Sequence, residues 1–263
     1  MKVFRFGWKT ATLPSAIVLA LLALGFPNRA QQPASGSTAK PVPLNYQTMN
    51  LNTLTNLAAN GDAVAQNELG MAYGQGKRGV RKQNVEEAFR WFRTAAEQGY
   101  AQAQYNLGSL YYYGTGVPKD YQEALKWYRK AADQGFIQAQ YFLGWVFSTG
   151  RGVEENFKES VNWFGKAAEQ GDTEAQLSLG LMFMRRGDLN PDYIEAYKWI
   201  NLAAAQGNTN AVKHRAKLAV SMTQDQITEG QRRAVQFSLK KSAIVGSTNQ
   251  LAPPPLRSTA AAN

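Results

Sequence analysis

Residues 100–135 read YAQAQYNLGSLYYYGTGVPKDYQEALKWYRKAADQG, and this stretch decides the fold. Ala103, Leu107 and Tyr111 lie four residues apart, which sets them on one face of a helix. Gly108, beside Leu107, removes a side chain where a second helix must approach. Gly114-Thr115-Gly116-Val117-Pro118 then stops the first helix, since Gly and Pro are the strongest local breakers. Tyr121, Ala124, Leu125, Tyr128 and Ala131-Ala132 make a second apolar stripe, and Gly135 supplies a left-handed cap at its end. On the outer side, Glu123 with Lys126 and Glu86 with Arg90 have the i,i+3 and i,i+4 spacing of helix-surface ion pairs.

The pattern recurs in both directions. Trp91, Trp127, Trp163 and Trp199 keep a 36-residue step, as do Gly99, Gly135, Gly171 and Gly207, and Gly108, Gly144 and Gly180. Gly61 and Gly70 precede Gly99 and Gly108 by 38 residues, the two extra falling in the loop Gln75-Gly76-Lys77-Arg78-Gly79-Val80. Helix pairs this short cannot bury their stripes alone, so neighbouring units must stack. The expected fold is therefore all-α, a solenoid of about four 36-residue helix-turn-helix repeats over 62–207 with capping helices at both ends. Leu51, Leu54, Leu57 and Ala58 mark an N-terminal cap within 46–61, read as the second helix of a truncated unit. Ala211 to Ala219, with Ala216 at the glycine position, begins the C-terminal capping helices of 208–242. There Thr223-Gln224-Asp225-Gln226 has the form of a capping box opening the last helix.

Ala103-Gln104-Tyr105-Asn106-Leu107-Gly108, Tyr111, Gly114-Thr115-Gly116-Val117, Asp120, Glu123-Ala124, Trp127, Lys130-Ala131-Ala132 and Gln134-Gly135 resemble the Sel-one-like repeat, a 36-residue relative of the tetratricopeptide repeat. The resemblance covers about 62–207 in four copies. The last departs from it, with Arg186-Gly187-Asp188-Leu189-Asn190-Pro191 in place of Gly-x-Gly-Val. It implies a right-handed helical solenoid used for protein–protein contacts, often in exported bacterial proteins and adaptors. Some exported members carry cysteine pairs within repeats; this chain has no cysteine.

Charge is unevenly spread. The chain of 263 residues carries a formal +10, yet residues 41–212 hold 16 Lys/Arg against 17 Asp/Glu. The body is near neutral, so no nucleic acid partner is expected, and any contact with cell wall or anionic membrane is confined to the basic C-terminal end. Lys2, Arg5 and Lys9 precede an apolar run from Leu13 to Phe26, the layout of a secretory signal. Ala23-Leu24-Gly25 favours cleavage after Gly25, giving a signal peptide over 1–25; an uncleaved membrane anchor is the alternative. The expected location is periplasmic or secreted. Residues 26–45, rich in Pro and Ser, read as a disordered tether, and 243–263, with Pro253-Pro254-Pro255, as a disordered tail.

Motifs for chemistry are weak. Gly74-Gln75-Gly76-Lys77-Arg78-Gly79 spells a dinucleotide fingerprint but follows a helix rather than a strand, which makes it an inter-helix loop. Ser37-Thr38-Ala39-Lys40 and Ser238-Leu239-Lys240-Lys241 spell the S-x-x-K of penicillin-recognising enzymes without S-D-N or K-T-G partners. His214 is the single histidine, and with no cysteine it cannot complete a His/Cys zinc site. Glu86-Glu87 and Glu154-Glu155 stand at helix starts, where carboxylates oppose the helix dipole. No enzyme activity, cofactor or metal is expected.

By analogy with tetratricopeptide geometry, the first helix of each unit lines a concave face. The positions that the repeat leaves free hold Tyr105, Tyr112 and Tyr113 in the second unit, Tyr141 and Trp145 in the third, and Leu181 and Met184 in the fourth. Aromatics dominate binding hot spots, so these seven are the expected lining of a concave aromatic groove for a peptide or protein partner. Two rivals stand beside that reading. One is an envelope structural or glycan-associated protein in which the same rings stack on sugars; the more distant one is a penicillin-recognising hydrolase.

Overall fold

The structure, a computed structural model, describes residues 44–185 and 191–250. The expected signal peptide, the Ser37–Lys40 motif, almost all of the tether, the 186–190 loop and residues 251–263 lie outside them. Eleven α-helices follow a short 3-10 turn at Tyr46–Thr48, with no strand among the described residues: α1 (Leu51–Ala59), α2 (Ala63–Gln75), α3 (Val85–Glu97), α4 (Ala101–Tyr113), α5 (Tyr121–Asp133), α6 (Ile137–Thr149), α7 (Phe157–Gln170), α8 (Thr173–Arg185), α9 (Tyr193–Ala205), α10 (Thr209–Ala219) and α11 (Gln224–Gln250). They form helix-turn-helix repeats of the solenoid class, in two compact units, Met1–Lys166 and Ala167–Asn263.

In the first unit, α2 pairs with α3 and α4 with α5, and each pair crosses at its glycine. A Cβ on Gly108 would lie 3.1 Å from the Ala124 carbonyl oxygen and the Tyr128 ring. Gly70 meets Phe92 and Gly144 meets Phe164 in the same way. Trp127 is buried, as are Ala103, Leu107 and Leu110 beneath it. The first helix ends in a left-handed residue, Gly114 at φ 69°, where a side chain would be strained. The N-terminal cap behaves as a second helix should: Leu54 and Ala58 are buried against Ala65 and Leu69. It starts at Leu51 rather than Tyr46, because the Asn50 side chain accepts from the Thr53 N–H and begins a new helix there.

A glutamine recurs in register and ties each first helix to the second helix before it. Nε2 of Gln66, Gln104, Gln140 and Gln176 donates to the carbonyls of Ala58, Ala96, Ala132 and Ala168, at 3.0–3.2 Å. Each thereby adds a side-chain donor to a carbonyl in the last turn of a helix, which also accepts the N–H of the glycine after that helix. Gln98, Gln134 and Gln206 donate in turn to Gln66, Gln104 and Gln176.

In the second unit, α8 and α9 cross at Gly180 beneath Ile200, and Thr223 and Gln226 form the reciprocal capping box. The last helix packs on α9. Gly230 lies against Tyr197, Phe237 sits 5.1 Å from Trp199, and Arg233 reaches Glu195 at 2.8 Å. Ala216 is exposed, so the glycine position of α10 has no crossing helix. α11 runs to Gln250, which corrects the expected start of the tail at 243; no proline interrupts it before Pro253.

Candidate functional site

The seam between the second and third repeats is built of rings. Tyr105 stands 5.4 Å from Tyr128 and 5.5 Å from Phe136. Tyr128 lies 4.4 Å from Phe142, and Phe142 5.0 Å from Tyr112 and 5.5 Å from Trp145. Tyr112 also meets Tyr113 and Tyr121 edge-on at 5.0 Å each. Most of the pairs are tilted or edge-to-face, the arrangement the ring quadrupoles prefer. Phe136 enters this layer from the N-cap position of α6, where it gives no side-chain cap. The equivalent residue of α2 is Asp62, whose carboxylate caps its helix.

Polar atoms inside the layer are unevenly served. The Tyr128 hydroxyl donates to Ser109 Oγ at 2.9 Å, and Ser109 Oγ donates on to the Tyr105 carbonyl at 3.0 Å. The Tyr112 hydroxyl is buried with no partner. Burial pushes the phenols of Tyr105, Tyr112 and Tyr128 well above the ordinary tyrosine value. Tyr113 is raised more modestly by burial, with Arg151 opposing the shift.

This placement corrects the expected groove. Tyr112 is 5 % exposed and belongs to the core, and Tyr105 is packed against that core at its edge. Their rings fill the seam because the third repeat offers Phe142 and Trp145 opposite them, leaving apolar surface that only a large side chain covers. Tyr113, Tyr141 and Trp145 are partly exposed. Trp145 carries the Arg151 guanidinium 5.5 Å over its ring, and Tyr141 packs 5.5 Å from Phe164. Leu181 and Met184 belong to the second unit, partly buried against a core that includes Leu177, Tyr197 and Ile200. Phe136, Phe142 and Arg151 were not singled out from the sequence; an aromatic standing where other repeats carry a capping Asp was the available signal.

The remaining motifs settle into structural roles. Arg78, in the glycine-rich loop, pairs with Glu68 at 2.7 Å and donates to the Tyr46 carbonyl, which ties that loop to α2 and to the turn before α1. Ser238 Oγ donates to the Ala234 carbonyl within α11. His214 is half-buried, its basicity lowered by burial and by Lys217. Arg90 pairs with Glu87 at 2.9 Å rather than with Glu86, the i,i+3 carboxylate taking the place of the i,i+4 one. Glu154 and Glu155 precede the Asn156 cap of α7 instead of lying in its first turn. A cleft of about 290 Å³ between α3 and α5 is lined by Arg93, Glu97, Leu107, Tyr111, Glu123, Lys126 and Trp127. Its charges are paired within their own helices, Arg93 with Glu97 and Lys126 with Glu123. Among the described residues no group of three His, Cys, Asp or Glu side chains could hold a metal ion.

The Sel1 repeat model matches residues 63–100, 101–136, 137–172 and 173–208, four copies over more than half of the chain. The chain belongs to the Sel1 repeat family. A Sel1 repeat protein from Oxalobacter formigenes is 38 % identical with a TM-score of 0.57, over 63 % of this chain and 48 % of that one. The protective antigen c5321 of uropathogenic Escherichia coli, which displays an SLR fold, is 25 % identical with a TM-score of 0.43, over 80 % of this chain and 52 % of that one. An F-box protein from Arabidopsis thaliana is 44 % identical over 57 residues, 22 % of this chain and 15 % of its own. The chain thus spans about half the length of these structures and a small part of the F-box protein. Sel1 repeats act generally as protein–protein interaction modules, and the fold is typically a non-enzymatic scaffold.

Proposed function

We propose that this Sel1 repeat protein is an exported adaptor. In this reading it captures an extended segment of a protein partner at the rim of the second seam, through Tyr113 and Trp145. The carrying observation is that Tyr113 and Trp145 are partly exposed while packed against a buried aromatic layer. Such rings are held in place before a partner arrives, so docking loses little side-chain freedom. Aromatic anchors of this kind concentrate interface energy. Contact with cell wall or membrane through α11 is the weaker reading, because Arg232 and Arg233 are already engaged by Glu229 and Glu195.

Export rests on the Lys2, Arg5 and Lys9 start and the apolar run to Phe26. N-terminal sequencing of protein from a bacterial host is expected to begin near Phe26, and a product retaining Met1 would contradict cleavage. For the rim, the test is Tyr113→Ser combined with Trp145→Ser. The thermal melt should stay near wild type, while retention of the partner from an envelope extract falls at least about tenfold, roughly 1.4 kcal/mol. A stable variant with unchanged retention moves the site elsewhere, and an unfolded one assigns both rings to the core.

A further inference from the structure

The last helix shows what the outer face of a second helix can hold. Along α9, Arg233 of α11 donates to Glu195 at 2.8 Å, Phe237 meets Trp199 edge-on at 5.1 Å, and Gly230 rests against Tyr197. Glu195 keeps its own Lys198 at 3.1 Å while it takes Arg233. The receiving pair, a glutamate four residues before a tryptophan, recurs as Glu87 and Trp91, Glu123 and Trp127, and Glu159 and Trp163. What differs is the cover. Lys130 and Lys166 stand 4.0 Å over Trp127 and Trp163, Lys198 stands 4.4 Å over Trp199, and all three indoles are buried. In the first repeat the lysine position holds Thr94, no cation lies over Trp91 among the described residues, and Trp91 is partly exposed. The facing wall is thinned as well. The cleft between α3 and α5 has Arg93 and Glu97 on that wall, and one repeat earlier their places on α1 hold Thr55 and Ala59, both exposed.

We infer that the outer groove between α1 and α3 docks an amphipathic helix of a partner protein, one with a basic residue four positions before an aromatic. That helix lies as α11 lies on α9, its cation on Glu87 and its ring on Trp91. Arg90 holds only Oε1 of Glu87, at 2.9 Å, which leaves Oε2 for the incoming cation, as Glu195 divides its oxygens between Lys198 and Arg233. After cleavage at Gly25, residues 26–43 have Phe26 as their single aromatic with no basic residue ahead of it, and residues 251–263 have none. Neither segment supplies the pair. The groove is walled by second helices, whereas Tyr113 and Trp145 stand on first helices, so its occupant is independent of the rim.

The test uses the chain's own α11 as the probe. A labelled helical peptide of residues 224–243 is titrated with the full chain and followed by fluorescence polarisation. Phe237→Ala in the peptide, and Thr94→Lys with Ala59→Arg in the protein, should each weaken binding at least about tenfold. The double variant should melt as wild type does, since both positions are exposed. Glu87→Gln in the protein and Arg233→Gln in the peptide should lose no more together than either alone, because they remove one ion pair. If the double variant unfolds, this cycle decides alone. Tyr113→Ser with Trp145→Ser should leave the peptide bound. Absence of binding, or binding indifferent to the groove substitutions, overturns the groove and leaves the rim reading untouched. Binding lost with Tyr113 and Trp145 but kept with Thr94→Lys puts the peptide on the rim and overturns the groove as well. Self-association of the full chain that Thr94→Lys abolishes would make the occupant a second copy and overturn the partner.

Discussion

The first and second seams of the N-terminal unit occupy equivalent places in the repeat and are built from opposite chemistry. Where the second seam has Tyr105 facing Phe142, the first has Asn67 facing Asn106, both buried, with Asn106 Nδ2 donating to Asn67 Oδ1 at 2.9 Å. Where the second has Ser109 and Tyr112, the first has Met71 and Gly74. An amide pair is directional and fixes one register, but buries little apolar area and leaves Asn67 Nδ2 without a partner. A ring layer is less directional and buries far more surface. The repeat backbone is indifferent to the choice, because the glycine crossing and the glutamine ladder hold the helices in either case. Position-specific chemistry can therefore be placed on one seam without disturbing the next.

Four experiments press on this comparison. Tyr128→Ala strikes the centre of the ring layer and should cost about 3–5 kcal/mol in urea unfolding. A cost near that of an exposed residue would mean that the layer is not a core. Alkali should act on the same seam. The folded-state values of Tyr105, Tyr112 and Tyr128 lie above the unfolded one, so their burial stabilises the fold fully below the ordinary tyrosine value of about 10. That contribution is lost as pH rises from there toward the folded-state values. The urea midpoint should fall over this range, and replacing all three by Phe should flatten the fall; an unchanged slope would place the titration elsewhere.

The first seam should respond more weakly. Asn106→Ala leaves the Asn67 oxygen without its donor and should cost about 1–3 kcal/mol. A cost equal to that of Tyr128→Ala would erase the distinction between the seams. Smallest is Tyr112→Phe, which removes an unsatisfied hydroxyl and keeps the ring. It should be neutral or stabilising by up to about 1 kcal/mol, and a clear destabilisation would reveal a hydrogen bond at that hydroxyl.

Most of the fold was legible because it is written in periodicity and in small residues. The Trp and Gly series set the repeat, Gly108 located a helix crossing, and Thr223 with Gln226 announced the capping box that forms. The site was less legible, and Tyr112 shows why. Helical spacing places it at the edge of the apolar stripe, and whether that edge is groove or seam depends on Phe142 and Trp145, one repeat away. Gln104 is visible in the sequence as a motif residue, but its acceptor, the Ala96 carbonyl, is known only once the fold brings the two together. The docking of α11 on α9 had no signal in local pattern, since Gly230 and Phe237 read as plain members of an amphipathic helix.

One seam is proposed to carry the partner while its neighbour does not. A photo-reactive benzoylphenylalanine at Tyr113, or in a second variant at the equivalent Gln75 of the first repeat, puts that claim to one measurement in irradiated cells expressing the full chain. A discrete higher-mass adduct is expected from position 113 and none from position 75. Adducts of equal yield at both positions, or from 75 alone, would contradict it.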